Sequence, residues 1–127
     1  MDECRNTPEL HAGGIKYAYT RVAAEKINAG TLVAQNSEGL AVPAADAAGL
    51  IVLGRAENSV DAGENAVVKT GVFLYDNGAD TETLTVGDIG KECFVVDAVT
   101  VGIVGGTNKV KAGKVLDVMP EGVAVII

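Results

Sequence analysis

The chain has 127 residues, 17 acidic against 10 basic side chains, and a formal charge of −7. That length supports one domain burying roughly two-thirds of its unfolded surface. The charge argues against a nucleic-acid partner, since phosphate binding draws on clustered Lys and Arg. Lys109, Lys111 and Lys114 are the one basic cluster, and they fit a solvated strand edge. Val and Ala dominate, with 16 Gly and five aromatic residues, so the core is thin and gains from oligomerisation.

Residues 1–14 are polar, contain Pro8 and end in Gly13-Gly14, which reads as an extended N-terminal arm before a body over 15–127. Met1-Asp2-Glu3 is acidic where a secretory leader would be basic, so no leader is expected. The longest apolar stretch, Ala47 to Gly54, is too short to cross a bilayer as a helix. Cys4 and Cys93 have no metal or redox spacing and read as free thiols. His11, the single histidine, sits in the arm with no partner for acid–base or metal chemistry.

From Ile15 apolar and polar residues alternate, with Ile15, Tyr17 and Tyr19 on one side, as in a half-buried strand. Val22 to Ile27 could also form a short helical piece. Ile27-Asn28-Ala29-Gly30 then introduces a step that recurs: aliphatic, any residue, Ala or Val, Gly. The other copies are Val60-Asp61-Ala62-Gly63, Leu84-Thr85-Val86-Gly87 and Val110-Lys111-Ala112-Gly113. A Gly in third place supplies the positive φ of a type II turn, so Gly30, Gly63, Gly87 and Gly113 are each expected in a turn that launches a strand. The unequal intervals between copies argue against a solenoid repeat.

Thr31–Gln35 and Gly39–Val42 form a hairpin around Asn36-Ser37-Glu38. Pro43 to Ala48 is too short for a stable helix and reads as a loop of helical character. Leu50–Ala56 is the most apolar strand and is expected to be central. A long strand over 66–75 is interrupted by Gly71, where a bend around a barrel corner is expected. Strands over 81–86, 91–97 and 115–119 follow, with a less regular pair near Val101 and Ile103. Pro120-Glu121-Gly122 turns into a last strand over 123–127. About nine short, mostly antiparallel strands with almost no helix make an all-β domain, a small barrel or sandwich.

Candidate chemistry is sparse. Asp76 to Glu82 places oxygen ligands at calcium-loop-like intervals, but it lacks the full carboxylate pattern, and Asn77-Gly78 already accounts for a hairpin turn. Lys114 to Gly122 has a faint likeness to biotinyl and lipoyl carriers, but its tip holds no lysine. Ser37 and Ser59 lack the Gly-x-Ser-x-Gly elbow. No catalytic residue, metal site or cofactor is expected.

In order along the chain, Ile27–Val33, Gly39–Pro43, Ala47–Gly49, Ala62–Phe73, Ala112–Asp117 and Gly122–Ile127 resemble the bacteriophage capsid cement, or head decoration, protein family. The likeness spans 15–127. It implies a non-enzymatic β domain, made in the host cytoplasm, that sits as a homotrimer on the outside of an assembled head. The implied partners are the major capsid protein and other copies of the chain, with no nucleic acid and no membrane. The arm with His11, and the aromatics Tyr17, Tyr19, Phe73 and Tyr75, are the contact residues this reading expects. A stand-alone carbohydrate- or ligand-binding module, or a host-attachment module, is the alternative, though a chain with no Trp and three Tyr is poorly equipped for sugars.

Overall fold

A computed structural model describes residues 17–127; the expected arm, His11, Cys4 and Ile15 lie outside the described residues. Ten strands follow in chain order: β1 (Ala18–Val22), β2 (Leu32–Gln35), β3 (Ala41–Pro43), β4 (Ile51–Ala56), β5 (Asn65–Lys69), β6 (Val72–Asn77), β7 (Glu92–Asp97), β8 (Thr100–Gly102), β9 (Lys111–Met119) and β10 (Gly122–Ile126). The domain is all-β, as expected, and it contains a barrel together with an open sheet. An open five-stranded sheet in the order β1-β5-β4-β2-β3 stands beside a closed barrel, β10-β6-β8-β7-β9. The strands pair antiparallel except β6 with β8. The apolar β4 is the middle strand of the open sheet.

The expected long strand over 66–75 is two strands in different layers. β5 ends at Lys69 in the open sheet, the chain turns through Gly71 at φ +156°, and β6 enters the barrel at Val72. Ile127 seals this joint by donating its N–H to the Gly71 carbonyl at 2.9 Å. A side chain at Gly71 would crowd the Phe73 ring, so the joint is closely filled.

Two apolar clusters result. The barrel cluster contains Leu84, Cys93, Val95, Val101, Val115, Val123 and Val125, and it is capped from the open sheet by Leu32, Ala34, Val42 and Ala44. The second contains Ile27, Val33, Leu53, Val60, Ala66 and Val68, with Tyr19 against it. β2 therefore sends Leu32 and Ala34 to one cluster and Val33 to the other, all fully buried. Burial on both faces explains its unbroken apolar run.

Three expectations are corrected. Val22 to Ile27 is not helical: Ala23 bridges Ala41 and Ile27 bridges Val60. The strand expected over 81–86 is replaced by two short 3-10 turns, Asp80–Glu82 and Val86–Asp88. The four glycine steps also part company. Gly30 and Gly63 lie at φ +87° and +89°, in turns closed by Thr31 N–H to Asn28 O and Glu64 N–H to Asp61 O. Gly87 instead lies inside the second 3-10 turn, where Thr85 and Asp88 cap each other's backbone N–H groups. The positive φ falls on Gly90, at +90° in Asp88-Ile89-Gly90-Lys91. Gly113 is in no turn. It lies within β9 beside a bulge, and a Cβ there would collide with the Ile126 carbonyl.

Candidate functional site

The three true turns dock in the same way. Each glycine N–H donates to a carbonyl on another segment, and the next residue's carbonyl accepts that same residue's N–H. Ala56 serves Gly30 and Thr31, Ala23 serves Gly63 and Glu64, and Val115 serves Gly90 and Lys91, with distances of 2.8–2.9 Å. The first two are reciprocal. The turn of one segment grips the alanine that opens the other, and Ile27 and Val60 exchange both backbone bonds between them, at 3.0 and 2.9 Å. Segments 23–33 and 56–66 thus form a local two-fold pair, a repeat that the unequal intervals had argued against.

The expected contact aromatics separate into two groups. Tyr17, just before the edge strand β1, and Tyr19 within it meet edge to face, with ring centroids 5.0 Å apart, and the Arg21 guanidinium lies 5.2 Å from the Tyr19 ring. Tyr17 is 41 % exposed, so this pair faces solvent in part. Phe73 and Tyr75 are on β6, pointing toward the barrel interior. Phe73 packs on the core under the Arg55 guanidinium, 4.3 Å from its ring. Tyr75 is only 5 % exposed and so cannot serve as an outer contact residue. Its hydroxyl is buried with no hydrogen-bond partner among the described residues. Burial pushes the phenol up to about 12, partly offset by the Arg55 charge.

A second constellation was not foreseen. Five consecutive backbone N–H groups in the loop after β8 are held by two carboxylates from distant segments. Glu82 accepts from Val104, Gly105 and Gly106 at 2.9–3.1 Å, and Asp46 accepts from Thr107 and Asn108 at 3.0 and 2.8 Å. The Asn108 side chain adds a bond to Asp46 at 3.0 Å, and Lys109 Nζ donates to the Val104 carbonyl at 3.0 Å. Burial raises the Glu82 carboxyl, but the bonds from Gly105, Val104 and Gly106, with the Lys109 charge, bring it below its usual value. Asp46 is lowered by Thr107 and Asn108. The oxygen-rich segment read as calcium-like thus spends Glu82 on this loop and Asn77 on a clamp of Leu84, N–H and carbonyl both at 2.8 Å. Among the described residues, no three His, Cys, Asp or Glu side chains come together. Cys93 is fully buried, and burial pushes its thiol up to about 11, which leaves it a small core residue.

The surface adjoining this loop is apolar. An open groove of about 490 Å³ is lined by Leu50-Ile51-Val52 and Val110 to Gly113, with Ile126 and Ile127 also in its wall. Ile51 is 61 % exposed at its rim. Beyond Ile126 the outer wall of the barrel continues with Val72, Leu74 and Leu116, all about half exposed. Aliphatic residues on the solvent side of adjacent antiparallel strands mark an interaction surface more than a catalytic one. No helix among the described residues is long and apolar enough to cross a membrane. No family model, curated protein or solved structure matches the chain.

Proposed function

We propose that this chain is a structural, non-enzymatic virion protein that binds the outer surface of an assembled phage head and stabilises it, as an oligomer read here as a homotrimer. Its partners on this reading are the major capsid protein and its own copies, without nucleic acid or membrane, after synthesis in the host cytoplasm. The ordered series of turn and strand segments that resembles the decoration family carries the reading. The apolar outer wall supports it, since a protein that works by adhesion needs a docking face rather than a reaction centre.

The direct test mixes the purified chain with heads lacking it. Co-sedimentation and a raised disruption temperature are expected, and failure to bind any head would sink the proposal. The Tyr17–Tyr19 pair at the edge strand favours the carbohydrate-binding alternative. A glycan-array signal abolished by Tyr19→Ala, without head binding, would establish it instead.

A further inference from the structure

On an antiparallel sheet with one buried face, the outward positions are normally polar. Around β10 the barrel departs from this rule. There the register places Val72 beside Ile126 and Ile126 beside Lys114; one step along, Leu74 lies beside Ala124 and Ala124 beside Asp117, with Leu116 in the adjoining bulge. Val72, Leu74 and Leu116 are 49, 51 and 48 % exposed. Exposed aliphatic side chains of β6 and β9 thus flank the largely covered Ala124 and the half-buried Ile126 of β10 on one outer face.

The ends of this face carry opposite charges. Lys114 stands at the Val72–Ile126 end, while Asp76 continues β6 beyond Leu74 and Asp117 flanks Ala124. Nearby Lys111 is already paired with Glu92 at 3.3 Å. Lys114 and Asp76 hold no ion pair among the described residues.

We infer that this β6-β10-β9 face is where one copy of the chain meets another. An apolar centre with a polar rim is the make-up of a specific interface. The occupant is a second copy because the face itself carries both signs. A foreign acidic or basic partner would be matched at one end and opposed at the other, whereas a copy laid in the opposite sense sets its Asp76 against Lys114. Elsewhere the chain, at −7, repels its own kind, so the attraction has to reside in such a face. The inference rests on self-association alone, independent of head binding; copies laid in opposite senses make a two-fold contact, separate from the threefold contact of the proposed homotrimer.

The test is the mass of the full chain in solution, by sedimentation equilibrium over a dilution series, with circular dichroism and thermal unfolding as fold controls. The wild-type chain is expected to associate, and Leu74→Asp and Leu116→Asp to weaken association at least about tenfold. Asp76→Lys and Lys114→Asp should each weaken it, and the double variant should restore it, which no mere loss of stability would produce. If either aspartate variant misfolds, Leu74→Ser and Leu116→Ser take its place, since both sites are half exposed. A wild-type chain monomeric at every concentration, folded face variants of wild-type mass, or a double reversal no better than the singles would each overturn the inference. Heads are absent from the experiment, so its failure is distinct from a failure to bind capsids.

Discussion

Tyr75→Phe should stabilise the domain. The substitution removes one oxygen from a side chain that is 5 % exposed and leaves the ring where it is. That oxygen is buried with no partner among the described residues, so folding strips its water without replacing it. A desolvated, unbonded hydroxyl costs about 1–3 kcal/mol. Relief at the lower end, about 1 kcal/mol, corresponds to a rise of about 3–5 °C in melting temperature for a domain of this size. Urea unfolding at neutral pH gives the free energy, and calorimetry gives the temperature. A second signature appears in base. The folded phenol titrates at about 12 against 10 unfolded, so Tyr75 contributes stability that is complete below pH 10 and lost as pH rises through 12. The variant should lose less stability than the wild type across that window. A variant destabilised by 1 kcal/mol or more would refute the reasoning, because the hydroxyl would then have to hold a bond of its own, for instance to an enclosed water.

The glycines give a contrast within one chain. Gly63→Ala and Gly90→Ala force a side chain to φ near +90° and should cost about 1 kcal/mol or more, while Gly87→Ala, whose Cβ meets only Thr85 Oγ1 at 3.6 Å, should cost about half that or less. Equal melting temperatures for all three would contradict the turn assignment. Glu82→Gln replaces a carboxylate that accepts from three N–H groups by an amide that turns a donor toward them, and a loss of about 1–3 kcal/mol is expected. Glu82, Asp46 and Asp88 all lie below their usual values, so their contribution is present above about pH 4 and disappears as pH falls through the lowered folded values. The Gln variant should therefore show a shallower loss of stability in acid, and an unchanged acid slope would count against the loop being held in this way.

Much of the fold was legible in local pattern. The hairpins β2–β3 and β9–β10, the apolar central β4 and the all-β class follow from alternation and turn chemistry, which act over a few residues. The errors came where local pattern admits two outcomes. Leu84-Thr85-Val86-Gly87 has the form of Ile27-Asn28-Ala29-Gly30, but Thr85 and Asp88 stand three apart and close a capping pair, which moves the turn to Gly90. Gly113 has the form as well, yet it is required by the nearness of the Ile126 carbonyl, a contact set by strand pairing. The two-fold pair was readable in principle, since Ala23 precedes Gly30 by the same interval that Ala56 precedes Gly63. The carboxylates that hold the loop after β8 were not readable: Asp46 and Asn108 are 62 residues apart, and no periodicity relates them.

The reciprocal grip of the segments around Gly30 and Gly63 has a kinetic side. Each turn is completed only when the other segment is in place, about 33 residues along the chain. Closing a loop of that length costs entropy that grows only with the logarithm of its length. Here one closure brings the starts of β2 and β5 together. A chain dominated by distant pairings folds slowly, because many such closures precede their contacts. This pair completes two turns with one such closure.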